Sequence, residues 1–375
     1  MTPMLHKLLS KYEYELLKCV YCGQCRYGCP TLSRIGWESS APRGKVKLAL
    51  AYAKGEIPFT QGLLDTIYSC STCRKCNIEC PAGLDVSEII IAMRGELVSG
   101  KLAPPSPHLK NLESIRTHSN PYGQSREQRA AWARGVPAKE DSEDLFFAGC
   151  TPSIKTPEIA TASVALLSAS NISPSLMREK ESCCAGFLLR IGCRSDFERI
   201  AQENMEKLKG RRLIVSCAGC YKTFKVDYKE AGIGGMEVVH LTHILSDAID
   251  NGTLRLSRSL GATVTYHDPC HLGRHCNVYE PPRNVISKLP GVKLVEMKNS
   301  KRQARCCGAG GGLKSAFPKM ALEIGEDRIR EAEDTGASIL VSACPFCKIN
   351  LRDAAQRAGS SLEVLDISEL VRRAI

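Results

Sequence analysis

A chain of 375 residues, 43% hydrophobic and 24% charged, is long enough for two or three cores and has the make-up of an ordinary globular protein. Its 51 Lys and Arg outweigh 40 Asp and Glu, yet aromatics are only 6% and no basic run is interleaved with them, which argues against a nucleic-acid surface. Twenty cysteines in a chain with no apolar signal core at its start, and with no run of about 18 uncharged apolar residues, point away from a small secreted disulfide scaffold and from a membrane span; they fit metal ligands in a reducing, cytoplasmic setting.

Residues 1–18 have Leu5, Leu8, Leu9, Leu16 and Leu17 available for one apolar helical face. "CVYCGQCRYGCP" (19–30) follows, and "CSTCRKCNIECP" (70–81) copies its C-x2-C-x2-C-x3-C-P spacing. Between them "APRGKVKLALAYAKGE" (41–56) reads as a helix with Pro42 near its start, and "VSEIIIAMRGELVSG" (86–100) as another. In each block three thiolates suit one corner of a cubane, while the cysteine before proline serves the other cluster. The spacing predicts one cubane on Cys19, Cys22, Cys25 and Cys80, and a second on Cys70, Cys73, Cys76 and Cys29. Structural zinc usually takes four ligands from paired C-x2-C knuckles, so two full runs ending in Cys-Pro argue against it. Residues 1–100 are therefore expected to form a mainly α-helical module with two [4Fe–4S] cubanes. The positive net charge would offset the negative charge of such clusters.

Residues 101–144, with several prolines and no clean periodicity, are expected to be a linker. From Leu145 the chain repeats itself. "LFFAGC" and "TVTYHDPC" deliver Cys150 and Cys270; "LIVSCAGC" (213–220) and "ILVSACPFC" (339–347) each run into C-x2-C; "EVVHLTHIL" (237–245) and "EVLDISELV" (363–371) come after them. The paired landmarks are offset by 120, 127 and 126 residues, so one unit is duplicated, as 145–255 and 256–375. Apolar strands alternating with helical stretches imply α/β units with parallel sheets, whose strand carboxyl ends usually hold the ligand. Each unit gathers five cysteines in the order C, CC, C-x2-C: Cys150, Cys183, Cys184, Cys217 and Cys220, then Cys270, Cys306, Cys307, Cys344 and Cys347. Five exceed the needs of zinc or of a cubane, which leaves either a cluster of unusual shape or a thiol free to react. Cys193 and Cys276 match no landmark in the other unit and read as small buried residues.

"CCGAGGG" (306–312), with Cys270 upstream and "CPFC" downstream, is similar to the cysteine-rich CCG domain. Over nearly the whole chain, the ferredoxin module followed by duplicated α/β CCG domains resembles the D-type heterodisulfide reductase family. That resemblance implies a non-cubane [4Fe–4S] cluster on each set of five cysteines. It also implies reduction of a heterodisulfide, such as CoM-S-S-CoB, by electrons fed through the cubanes. The first unit departs from the signature, reading "CCAG" (183–186) with alanine for glycine. The same architecture recurs in iron–sulfur subunits of glycolate, lactate and glycerol-phosphate dehydrogenases. The alternative is therefore a non-catalytic electron-transfer subunit of a flavin-dependent dehydrogenase.

Disulfide cleavage needs two electrons and two protons. "HDPCHLGRH" (267–275) places His271 as a candidate proton donor to a departing thiolate, or as a residue that only hydrogen-bonds cluster or backbone. "KRQAR" (301–305) offers Lys301, Arg302 and Arg305 as contacts for a small anionic thiol or disulfide, or as a solvated loop. The glycines after Cys307 are expected to permit close chain approach rather than to bind phosphate. No flavin or nicotinamide fingerprint is present, so a partner must supply electrons: a membrane b-type cytochrome, a flavoprotein or another iron–sulfur protein. The chain is expected to be cytoplasmic, and a membrane cytochrome as partner would hold it at the membrane periphery.

Overall fold

The computed structural model describes residues 8–375. Of the expected first helix, Leu5 lies outside the described residues. The described part of that stretch forms two short helical pieces, Ser10–Tyr12 and Glu13–Leu17. Leu9 and Leu16 are buried but Leu17 is 56% exposed, so the leucines do not share one face. The break has a geometric cause: Tyr12 leaves helical ψ between the two pieces, which resets the direction of the side chains after it.

The helices around the cysteine blocks begin where local chemistry tells them to. α1 (Pro42–Ala53) has proline in its first turn, where a missing N–H costs nothing. α2 (Gln61–Tyr68) is capped by Thr60, whose hydroxyl accepts the Leu63 N–H at 3.1 Å. α3 (Val86–Ser99) is capped by Asp85, which accepts from Glu88 N–H at 3.2 Å. α1 and α2 pack on α3, and its Ile89, Ile90, Met93 and Leu97 are fully enclosed.

The segment expected as a linker carries α4 (Ser106–His118) and a short helix, Arg126–Ala130. Pro105 precedes α4 and starts it, so the prolines that read as loop punctuation are a helix beginning. α4 packs on the turn Leu313–Ala316 of the second repeat, and His108 hydrogen-bonds the Gly312 carbonyl at 2.8 Å.

The repeats fold alike. The first contains β1 (Asp144–Phe147), α5 (Pro157–Ala169), β2 (Ser175–Leu176), α6 (Arg194–Leu208), β3 (Arg212–Val215), β4 (Val238–His240) and α7 (Leu241–Asp250). The second contains β5 (Ala262–His267), α8 (Glu280–Ser287), β6 (Val292–Leu294), α9 (Pro318–Glu333), β7 (Ile339–Ser342), α10 (Pro345–Ala358), β8 (Glu363–Asp366) and α11 (Ile367–Arg373). The sheets run β2-β1-β3-β4 and β6-β5-β7-β8, all parallel. Helices cover both faces, which is why Leu213, Ile214 and Val215 form an unbroken buried run without alternation.

α7 of the first repeat lies on α8 of the second, and α11 of the second lies on α5 of the first. These are equivalent pairs, so the repeats meet through a reciprocal contact of the kind a two-fold axis makes between identical subunits. The carboxyl ends of both sheets thereby face each other.

Candidate metal centres and the cavity between them

Each cysteine block of the N-terminal module wraps around the other. Cys19, Cys22, Cys25 and Cys80 line one small pocket with Gly23, Arg43 and Pro81. Cys29, Cys70, Cys73 and Cys76 line a second, with Thr31, Lys45 and Lys75. Thus the cysteine before each proline reaches the other block's pocket. Backbone N–H groups already aim at the sulfurs: Thr72 donates to Cys70 and Leu84 to Cys80, both at 3.4 Å. Burial pushes the Cys25 thiol up to about 11 and the Cys76 thiol well above its usual value. Neither would ionise readily alone; a bound metal supplies the positive charge that makes a thiolate stable there. All twenty cysteines are free of disulfides. Four-sulfur pockets with N–H donors fit iron–sulfur clusters.

In each repeat the five cysteines arrive from three places. Cys150 follows β1 and Cys270 follows β5, the adjacent pairs come from loops, and the C-x2-C motifs open helices after β3 and β7. Nine of these ten cysteines line a single cavity of about 490 Å³. The tenth, Cys306, turns away to Ser71 Oγ at 3.5 Å and to the thiol of Cys73, so the second repeat's set touches the Cys73 pocket. Cys217 and Cys344, equivalent by the internal offset, stand together on the wall of this cavity. Ala185 N–H donates to Cys183 at 3.4 Å and Gly308 N–H to Cys306 at 3.3 Å, the same contact in both repeats.

His271 lines this cavity. Arg190 Nε donates to its Nε2 at 3.3 Å, and Arg190 is itself held by Asp227 at 3.0 Å. Burial, with Arg190 alongside, holds the imidazole well below its ordinary range. Arg305 is not on the cavity. Its side chain is 52% exposed and turns outward, 3.9 Å from Glu331, so the anion contact expected of it has no support in the geometry. Lys301 likewise pairs with Glu280 at the surface. The cations on the cavity wall are Lys155, Arg190, Lys314 and Arg352. Cys193 is buried, and Cys276 is half-buried.

Arg129 and Glu181 were also hidden in the sequence. The buried Arg129 donates to Cys150 Sγ at 3.4 Å and to Glu181 at 2.5 Å. Glu181 in turn accepts the N–H groups of Ala148 and Gly149, both at 2.9 Å, which fixes the loop that carries Cys150. The glycine run permits close approach of chain to chain. A Cβ on Gly311 would stand 2.7 Å from the Cys70 carbonyl oxygen, and one on Gly312 would stand 2.6 Å from His108 Nε2.

Among the described residues, no helix is long and apolar enough to cross a membrane. Six of the seven large hydrophobic residues exposed there, Tyr14, Leu17, Val20, Tyr21, Tyr27 and Trp37, lie in the stretch that carries the exposed Cys22.

Comparison with known proteins agrees with this architecture. The cysteine-rich CCG domain matches residues 145–225 and 264–352, and the 4Fe-4S dicluster domain matches residues 15–84. The D-type subunit of the dihydromethanophenazine:CoB--CoM heterodisulfide reductase of Methanosarcina acetivorans is 36% identical, covering 96% of this chain and 94% of its own. The B-type subunit of the fumarate reductase (CoM/CoB) of Methanothermobacter marburgensis is 28% identical, over 95% of this chain and 72% of its own. The crystal structure of a hypothetical protein from Helicobacter pylori shares the fold, with a TM-score of 0.64 at 11% identity, covering 98% of this chain and 76% of that one. With its two CCG domains, its 4Fe-4S module and an end-to-end match to a D-type reductase subunit, the chain is an iron–sulfur oxidoreductase subunit and belongs to the D-type heterodisulfide reductase family.

Proposed function

We propose that this subunit reduces a disulfide, of the CoM-S-S-CoB class, in the cavity between its two CCG sites. The observation that carries the reading is that nine of the ten repeat cysteines face one shared space of about 490 Å³. A scaffold for separate electron-transfer clusters would not need both sets open to the same cavity. The relatives' names point the same way, since both the heterodisulfide reductase and the fumarate reductase relatives carry CoM and CoB in theirs.

In this reading, Cys19, Cys22, Cys25 and Cys80 hold one cubane, and Cys29, Cys70, Cys73 and Cys76 the other. Cys150, Cys183, Cys184, Cys217 and Cys220 hold the first CCG cluster; Cys270, Cys306, Cys307, Cys344 and Cys347 hold the second. Bound there, the clusters would supply two electrons, one at a time, so that one disulfide and two protons become two thiols. The protein's own part is to shape and charge the cavity. Lys155, Arg190, Lys314 and Arg352 give the wall a positive character suited to an anionic substrate. His271 faces the same space: Arg190 occupies its Nε2, so the neutral ring carries its hydrogen on Nδ1 and offers it as a hydrogen bond to a departing thiolate, while the proton itself comes from solvent. Cys73 touching Cys306 joins the cubane module to the second CCG site. The exposed Cys22 and its aromatic surroundings mark where an electron-donating partner docks.

The test is direct. Anaerobically purified, iron-loaded protein, chemically reduced and offered CoM-S-S-CoB, should release two thiols per disulfide. Electron transfer to an artificial carrier with no thiol release would overturn the proposal and leave electron transfer alone as the function.

A further inference from the structure

The two repeats place different residues at one equivalent point beside their clusters. β1 and β5 hold the same position in their sheets, and their last residues pair with the last residues of the neighbouring strands. Phe147 pairs with Val215, and His267 with Ser342. Phe147 makes an edge contact with Phe224, ring centroids 4.9 Å apart, as apolar packing requires. His267 sits in the same enclosure, 1% exposed, but with two nitrogens to satisfy.

One nitrogen is accounted for. Arg328 donates Nε–H to His267 Nδ1 at 3.1 Å, and Arg328 is fixed by the Asn299 carbonyl at 2.9 Å and by Glu331 at 2.8 Å. A ring nitrogen that accepts a hydrogen bond carries no proton, so the neutral ring bears its hydrogen on Nε2. Nε2 is buried and has no hydrogen-bond partner. Leaving such a buried donor unpaired is unfavourable. The sulfurs are the remaining acceptors: a ring nitrogen of His267 lies within 4.8 Å of both Cys307 and Cys347 Sγ.

We propose that His267 donates its Nε2–H to the Cys307 thiolate of the second CCG site and raises the reduction potential there. This rests on the reading that the site holds an iron–sulfur cluster. Hydrogen bonds to ligand sulfur stabilise the more negative, reduced state, and the buried Arg328 behind the ring strengthens the donor. Phe147 provides no such bond in the first repeat, so His267 acts on one of the two CCG sites only. His267 is a positioning residue, since it acts through a ligand sulfur rather than on the substrate.

The test uses full-length, anaerobically purified, iron-loaded protein with wild-type, His267→Phe and His267→Gln side chains. Iron content is measured, and each cluster's signal is followed by electron paramagnetic resonance during a redox titration. Phenylalanine copies the first repeat, and glutamine keeps an N–H donor. In His267→Phe, iron content should hold while one CCG signal titrates lower. At the potential where the wild-type cluster is half reduced, its reduced fraction should fall about tenfold relative to oxidised, equivalent to about 59 mV for one electron. The other signals should stay in place, and His267→Gln should recover most of the shift. Unchanged titration of every signal in His267→Phe, at full iron content, overturns this proposal alone. Loss of about four irons in both variants also overturns it, because His267 would then be a ligand. Wild-type protein with far fewer than about sixteen irons overturns the functional reading, and this proposal with it.

Discussion

Ala185 is the residue where this chain departs from its family signature, and the structure shows the cost. Its φ is +64°, in the left-handed region that glycine enters freely and alanine does not. The equivalent Gly308 has φ +89°, so the backbone after both cysteine pairs turns the same way. At Gly308 a Cβ would come within 2.3 Å of the Ala321 carbonyl oxygen, whereas the Cβ of Ala185 is accommodated, fully buried. Ala185→Gly should therefore stabilise the protein by about 1 kcal/mol, a rise of about 2 °C in thermal midpoint for a chain of this size. Gly308→Ala should be strongly destabilising and should lower iron retention in the second repeat. Differential scanning calorimetry of the two variants checks this; equal effects at both sites would show that the repeats do not share the turn's constraint. The cysteines themselves were legible because ligand spacing is local: three residues apart in a turn, wherever the turn is. Arg129 was not legible, because its partners Cys150 and Glu181 lie 21 and 52 residues away and the Arg carries no motif.

Helices and strands were legible where an apolar period or a cap marked them, as with Asp85 before α3 and the buried runs of β3 and β7. α4 was missed because its few buried residues, His108, Leu112 and Ile115, include a histidine and follow a proline-rich start. The most consequential cap is on the last helix. Asp366 accepts the Ser368 N–H at 2.9 Å, while its own N–H donates to Glu369 at 2.8 Å, a capping box at the start of α11. Its second carboxyl oxygen is buried without a partner, and burial raises the carboxyl to about 7 from 3.8. The folded state thus favours the protonated acid. Its stabilisation is complete below about pH 4, the unfolded value, and is lost as pH rises through about 7. Asp366→Asn keeps the capping acceptor and cannot ionise. The variant should match wild type near pH 4 and exceed it at pH 8 by a few kcal/mol, read from urea midpoints at the two values. A difference that does not grow with pH would mean that Asp366 is ionised in the fold. His108 runs in the opposite sense. Burial lowers it to about 4 from 6.5, so the contact between α4 and Gly312 holds its full strength above pH 6.5 and weakens toward 4. Relative to the intrinsic exchange rate, which itself falls with pH, the protection of amides at residues 106–118 should drop between those values, while His108→Gln, without a titrating ring, should not show that drop.

At the scale of the molecule, the duplication was legible from the cysteine offsets, but the joint between the cubane module and the repeats was not. That joint is centred on Arg94, in a helix that reads as ordinary core. Arg94 is fully buried with no carboxylate beside it. Its guanidinium donates to the carbonyls of Ile67 at 2.9 Å, Cys70 at 2.6 Å, Arg190 at 2.7 Å and Gly311 at 2.9 Å. Those four carbonyls belong to the cubane module, the first repeat and the second repeat, so one side chain ties three units together. The glycine run permits the approach, since any Cβ at Gly311 would push the Cys70 segment away. A second layer binds the same joint: Arg274 Nε donates to the Cys73 carbonyl at 2.6 Å, and His275 hydrogen-bonds the Thr72 carbonyl at 3.0 Å. The contact that these bonds protect is the one between Cys73 and Cys306, by which electrons pass from the cubane module to the second repeat in the proposed function. Lysine at position 94 keeps the charge but is a point donor, not a fork, and cannot reach four carbonyls at once. Arg94→Lys should cost on the order of 3 kcal/mol, from at least two buried carbonyls left unsatisfied. The damage should be confined to the joint. Iron content should hold, hydrogen exchange should rise at residues 67–74 and 308–312, and transfer of electrons from the reduced cubanes into the CCG sites should slow in rapid-freeze measurements. Fast transfer with normal exchange at those segments would show that the surrounding packing, not Arg94, holds the module in register.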